Sequence, residues 1–175
     1  MSHDIPALAS KQADPVAQPF KYNTPDMPEG PHVGKFVVRL ARTDRMLANV
    51  QVLKNGGETN LHTHHHLDGF WMVLKGHARF YGEGDVVVAD LKEKEGILIP
   101  RHFKYWFESV GDEVLEILQV ESADFAMPLG KPIEREDFTP LTNATRNITI
   151  IEGRLNEPQY GQRHQLNMGA CSLRP

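Results

Sequence analysis

The sequence predicts an all-β domain, a sandwich or small barrel. Two observations carry this: short segments rich in β-branched and aliphatic residues recur at near-regular spacing with turn residues between them, and helical periodicity is weak through the middle of the chain. A third feature concerns what such a barrel would hold. Between Gly56 and Gly76 the chain packs four histidines, an aspartate and a hydrophobic run, GGETNLHTHHHLDGFWMVLKG.

The first thirty residues are proline-rich, and residues 1–33 are expected to form an arm, disordered or laid extended along a neighbouring surface. Strand character begins at Gly34 with residues 35–40 (KFVVRL) and 46–53 (MLANVQVL), and a turn is expected at Asn55, Gly56 and Gly57. Residues 61–66 and 69–74 follow, the run from Phe70 to Leu74 reading as a strand buried on both faces. Residues 78–81 and 86–89, around the turn Gly82, Glu83, Gly84, read as a hairpin. Residues 96–100, 105–109 and 114–121 complete a barrel spanning 34–125.

In the extension 126–175 the stretch Glu134, Arg135, Glu136, Asp137 reads as a solvated face or one helical turn. Residues 147–152 (NITIIE) read as an isolated strand that needs an edge to pair with, on its own sheet or on another subunit.

His62, His64 and His66 lie two residues apart, so an extended strand projects them from one face while His65 points the other way. Imidazoles buried together need hydrogen bonds, charge or a metal to compensate their desolvation. His62 and His64 can fill two adjacent positions of a divalent metal. Asp68, His66 or His102 is available as a third ligand, although Asp68 and Gly69 also make a common turn dipeptide. Tyr105 suits hydrogen bonding or general acid chemistry better than ligation, given a phenol pKa near 10. His102, after Pro100 in a turn near the barrel mouth, is placed for substrate contact. Gln119 and Glu121 share one face of the last barrel strand and can supply polar groups to the interior.

Composition narrows the function. The 175 residues carry a net charge of −4, which offers no basic footprint for nucleic acid. No apolar run approaches the roughly 20 residues of a membrane span. Cys171 is the single cysteine, so no internal disulfide forms, and a cytoplasmic location is expected. The sequons at Asn143 and Asn147 then carry no meaning.

Gly56, His62, His64 and Gly76 match the spacing of the first motif of the cupin superfamily, and Gly96, Pro100 and the run FKYWFES occupy the region of its second. With the turns and strand order, the stretch from Gly56 to Glu121 resembles a single cupin domain, a double-stranded β-helix or jelly-roll barrel. Two of the usual ligand positions are changed: the glutamate position falls at Gly69, beside Asp68, and the second-motif histidine position at Tyr105, with His102 at that motif's glycine. In the family's pattern Tyr105 and Phe107 share an inward face and Trp106 lies outside. The resemblance implies a small-molecule substrate, a homodimer and a metal site for Fe, Mn, Ni or Zn built on His62 and His64 with His66 or Asp68. Three functions remain open: a metal-dependent isomerase, cyclase or oxygenase; a metal-free isomerase or epimerase using histidine and Tyr105; and a non-catalytic binder of a small molecule or sugar.

Overall fold

The computed structural model describes residues 16–26, 34–54, 59–123, 135–139 and, for the backbone alone, 148–152. The turn expected at 55–57, the sequons, Cys171 and the rest of the arm lie outside them. Among the described residues eleven strands run in chain order: β1 (Lys35–Arg42), β2 (Met46–Leu53), β3 (His62–His64), β4 (Asp68–Lys75), β5 (Ala78–Tyr81), β6 (Val87–Leu91), β7 (Gly96–Ile99), β8 (Trp106–Ser109), β9 (Leu115–Ser122), β10 (Arg135–Asp137) and β11 (Ile148–Glu152). A single 3-10 turn, Glu83–Asp85, joins β5 to β6, with Gly84 at φ +73°.

The larger sheet has the order β11-β1-β2-β9-β4-β7, antiparallel except for the parallel pair β1 and β11. Facing it, β6-β5-β8 and β10-β3 form the second layer. His62 and Tyr105 bridge its two parts, and Thr59 N donates to Phe107 O at 2.9 Å.

Period-2 alternation sorts the side chains. On β9, Leu115, Ile117, Gln119 and Glu121 are all buried on one face. Their partners on β2 are Leu53, Gln51, Asn49 and Leu47, and on β4 the row continues through Val73, Trp71 and Gly69. The interior is therefore apolar at one end, where Leu53, Val73, Leu115 and Ile117 meet Phe80 and Phe107. At the other end it turns polar, and there β3 and Tyr105 close over Gln119 and Glu121. Fully burying the large side chains of the apolar end contributes about 1.5–3 kcal/mol each.

A second apolar cluster (Phe36, Val38, Leu40, Val50, Val52) lies on the opposite face of the large sheet, with Tyr22 packed against it. Residues 16–26 follow that side: the Gln18 side-chain amide brackets the Arg42 backbone at 2.9 and 3.3 Å, and Thr24 Oγ1 donates to Glu116 Oε1 at 2.7 Å.

Two local expectations are revised and a third, left open between two alternatives, is decided. Phe70 and Leu74 are 43% and 38% exposed, so β4 is buried on one face; the outer face is apolar in composition without being covered by described residues. Arg135–Asp137 is a strand, because β3 has a free edge and antiparallel pairing satisfies backbone groups whatever the side-chain charge. The strand in NITIIE pairs with β1 of its own chain.

Candidate functional site

Strand β3 is short because it serves as a platform. Thr63, β-branched, favours the extended backbone, and the residues either side send their rings to one face. His62 and His64 are 2% and 9% exposed, with ring centroids 5.1 Å apart in an edge-to-face arrangement. Tyr105 is held opposite by two backbone hydrogen bonds with His62, and its ring centroid lies 4.5 Å from the His62 ring.

The His62 tautomer follows from geometry. Nδ1 lies 2.6 Å from Asn60 O, and a carbonyl only accepts, so Nδ1 carries the hydrogen and Nε2 keeps its lone pair. Burial, then the charge of Arg135, lowers His62 to about 3, and the same two influences lower His64 to about 4. Both rings are neutral at pH 7. Tyr105 is pushed well above the ordinary phenol range by burial and then by the charge of Glu121, with Arg135 and Trp71 pulling the other way.

A cavity of about 180 Å³, its mouth included, opens beside this group. Its polar walls are His64 and Tyr105; Leu67, Ile99, Pro100 and Phe103 form the apolar side, and Gly69 leaves a gap. His64 Nδ1 is buried without a hydrogen-bond partner, and a buried polar atom of this kind ordinarily has one.

The structure thus brings together His62, His64 and Tyr105. It places the other sequence candidates elsewhere. The Asp68 carboxylate accepts from Arg101 N at 2.9 Å and from the Arg101 guanidinium at 3.0 Å, which holds it below the usual range. His102 adopts φ +69° and meets His65, Nδ1 to Nδ1, at 3.2 Å; His65 Nε2 in turn lies 3.1 Å from Glu136 Oε2. His66 is exposed on the same surface. Gly56, the first glycine of the motif, lies outside the described residues.

Arg135 and Trp71 were not singled out in the sequence. Arg135 binds Asp137 Oδ1 at 2.7 Å and the Asn60 side-chain oxygen, which sets its charge near both imidazoles. Alternation of Arg135 and Asp137 about Glu136 was the available signal. Glu121, noted only as one of two polar residues on a shared face, is 7% exposed; burial raises it to about 7. Gln119 Nε2 donates to its Oε1 at 2.5 Å, and Gln51 Nε2 donates to Gln119 Oε1 at 2.7 Å.

Two layers of antiparallel strands enclosing a polar site at one end define a cupin-type double-stranded β-helix domain. Residues 33–130 match the family described as mannose-6-phosphate isomerase C-terminal, and the chain belongs to that family. Solved structures agree on the fold. A protein with a double-stranded β-helix domain from Klebsiella pneumoniae is similar over 66% of this chain and 93% of its own, at 15% identity and a TM-score of 0.52. An RmlC-like cupin family protein from Methanocaldococcus jannaschii matches over 63% and 94%, at 17% identity and 0.51. KdgF from Halomonas sp. matches over 62% and 94%, at 16% identity and 0.50. No curated protein matches the sequence. Among the described residues no helix is long and apolar enough to cross a membrane.

His62 and His64 supply two imidazoles, but among the described residues no three His, Cys, Asp or Glu side chains gather to ligate an ion.

Proposed function

We propose that this protein is a small-molecule isomerase or epimerase working by proton transfer, with His62, His64 and Tyr105 binding the substrate's oxygen atoms. The observation that supports it most is the buried contact between a neutral His62 and Tyr105, next to a cavity lined by His64, whose Nδ1 has no hydrogen-bond partner. A site that binds through neutral donors and acceptors in a dry interior stabilises charge developing on a carbonyl oxygen, because its dipoles are fixed before reaction. Tyr105 O–H, held neutral by burial, donates a hydrogen bond to that oxygen. Neither histidine is a strong base at such depressed pKa values; they hold and orient.

The enclosed part of the cavity has room for little more than a water molecule in this structure, so a small substrate is proposed, or one end of a larger one, whose binding moves the lining. The metal-dependent reading, with Fe, Mn, Ni or Zn on His62 and His64, needs a further donor. A homodimer, expected from the resemblance, remains part of this proposal; a monomer by light scattering at micromolar concentration removes it.

The test is a turnover screen of small aldoses, ketoses and hydroxy-ketones by NMR, with elemental analysis of the same sample. Conversion that survives chelation and is lost in Tyr105→Phe supports the proposal. Conversion that tracks stoichiometric metal and survives Tyr105→Phe replaces it with the metal-dependent reading.

A further inference from the structure

Outside the interior, three side chains from separate segments converge on one open face. His65 follows β3, His102 lies in the loop between β7 and β8, and Glu136 is the central residue of β10. His65 Nδ1 and His102 Nδ1 stand 3.2 Å apart, their rings tilted by 57°. On the other side of its ring, His65 Nε2 lies 3.1 Å from Glu136 Oε2. Solvent reaches the group: the His65 and Glu136 side chains are 32% and 53% exposed, and His102 is exposed as well.

The loop holds His102 in place. Its φ of +69° is a left-handed conformation that residues with a side chain adopt only where the surroundings enforce it. Here three consecutive amides do so: Arg101 N donates to Asp68 Oδ1, His102 N to His64 O and Phe103 N to Pro100 O. Glu136 is set by the register of β10 on β3, where it pairs with Thr63.

A carboxylate only accepts, so His65 Nε2 carries the hydrogen, and in the neutral ring Nδ1 keeps a lone pair. That lone pair faces the Nδ1 of His102. Two imidazole nitrogens at about 2.0–2.1 Å from one ion, with a near-tetrahedral angle between them, stand roughly 3.1–3.4 Å apart. The observed spacing falls in that range. A carboxylate behind a ligating imidazole fixes its tautomer and strengthens it as a donor.

We propose that His65 and His102 form a surface site for a divalent transition-metal ion of the imidazole-seeking class, such as Zn²⁺, with Glu136 supporting His65 from behind. Hard ions such as Mg²⁺ and Ca²⁺ take oxygen ligands and do not suit it. Among the described residues no third ligating side chain joins the pair, so water fills the remaining positions. The site is separate from the buried His62 and His64 rings and does not rest on the reading of the interior. Its ion would join three chain segments, one of them the loop whose Pro100 and Phe103 wall the cavity. The role is structural, a staple across the cavity rim.

A direct hydrogen bond between the two rings satisfies the same spacing without an ion, and calorimetric titration of the metal-stripped full chain with Zn²⁺ separates the two. One equivalent should bind. Its affinity should fall at least tenfold in His65→Ala and in His102→Ala, and about tenfold in Glu136→Gln. His66→Ala and His77→Ala, which remove histidines outside the pair, should leave it within twofold. Zn²⁺ should also raise the unfolding temperature of the native chain and not that of His65→Ala. Thermal unfolding without Zn²⁺ checks that each variant is folded. Weak binding spread over several histidines, or one equivalent that survives both His65→Ala and His102→Ala, overturns the proposal. An equivalent lost only in His62→Gln/His64→Gln does the same, because it seats the ion in the interior.

Discussion

His62 and Tyr105 exchange backbone hydrogen bonds, His62 N to Tyr105 O at 3.1 Å and Tyr105 N to His62 O at 2.9 Å, which ties the first-motif strand to the second-motif segment at one point. The pair brings an imidazole and a phenol into contact at the polar end of the interior, and neighbouring strands lock both backbones. Preorganisation of this kind makes a polar group effective, since little reorganisation is needed when charge develops.

Replacing the Tyr105 hydroxyl should therefore separate activity from stability. Tyr105→Phe keeps the ring packing against Trp71 and Phe80, so unfolding free energy should change by only about 1 kcal/mol. Loss of a proton donor should lower kcat by about 10²–10⁴-fold. Steady-state kinetics beside chemical denaturation check this; a large loss of stability with intact kcat would mark Tyr105 as a core residue.

The histidines and Glu121 make stability depend on pH in opposite directions. His62 and His64 are depressed to about 3 and 4, so the unfolded chain binds more protons below 6.5, and stability present at neutral pH is lost as pH falls. Glu121, raised from 4.5 to about 7, contributes stability below 4.5 that is lost as pH rises through 7. Between those limits two imidazoles outweigh one carboxyl, so their combined contribution rises through the acid range and levels off near pH ~7. Each net proton is worth about 1.4 kcal/mol per pH unit. Unfolding midpoints across this range should show an acid limb that flattens or reverses in His62→Gln/His64→Gln and steepens in Glu121→Gln.

Asp68→Asn, His66→Ala and His102→Ala should retain turnover within a few-fold. The Asp68–Arg101 pair is largely exposed, and such pairs contribute about 0–1 kcal/mol. A hundredfold loss of kcat in any of the three would return that residue to the site.

Gly69→Ala should act through Trp71. The new Cβ lies at 3.1 Å from Trp71 Nε1, so the indole must shift by a few tenths of an ångström into the cavity region. The expected result is a changed Trp71 emission spectrum and weaker binding of small hydroxy-ketones by NMR line broadening, at a stability cost of about 1 kcal/mol. Unchanged emission would mean that the Trp71 indole does not press on Gly69.

The strand order of the barrel was legible because alternation and turn residues mark each strand locally. The site was legible only where its residues neighbour each other in sequence. His62 and His64 announce themselves by spacing, and Tyr105 by its place after Pro100. Glu121 belongs with Gly69 through cross-strand register, which depends on how distant segments align. Arg135 approaches the imidazoles only because β10 pairs with β3, and a charged tetrapeptide carries little strand propensity of its own. The run from Phe70 to Leu74 misled for the converse reason: continuous hydrophobicity signals burial on both faces, yet the outer face of β4 is open among the described residues.

The central claim, proton transfer at a carbonyl compound by the Tyr105 end of this interior, is tested most directly by hydrogen exchange in D₂O. The protein is incubated with small hydroxy-ketones and aldoses, and deuterium at the carbon beside the carbonyl is followed by NMR. Enzyme-dependent incorporation is expected that persists after chelation and falls at least a hundredfold in Tyr105→Phe. Incorporation that is absent across the panel for compounds shown to bind, or that is undiminished in Tyr105→Phe, would contradict the proton-transfer reading.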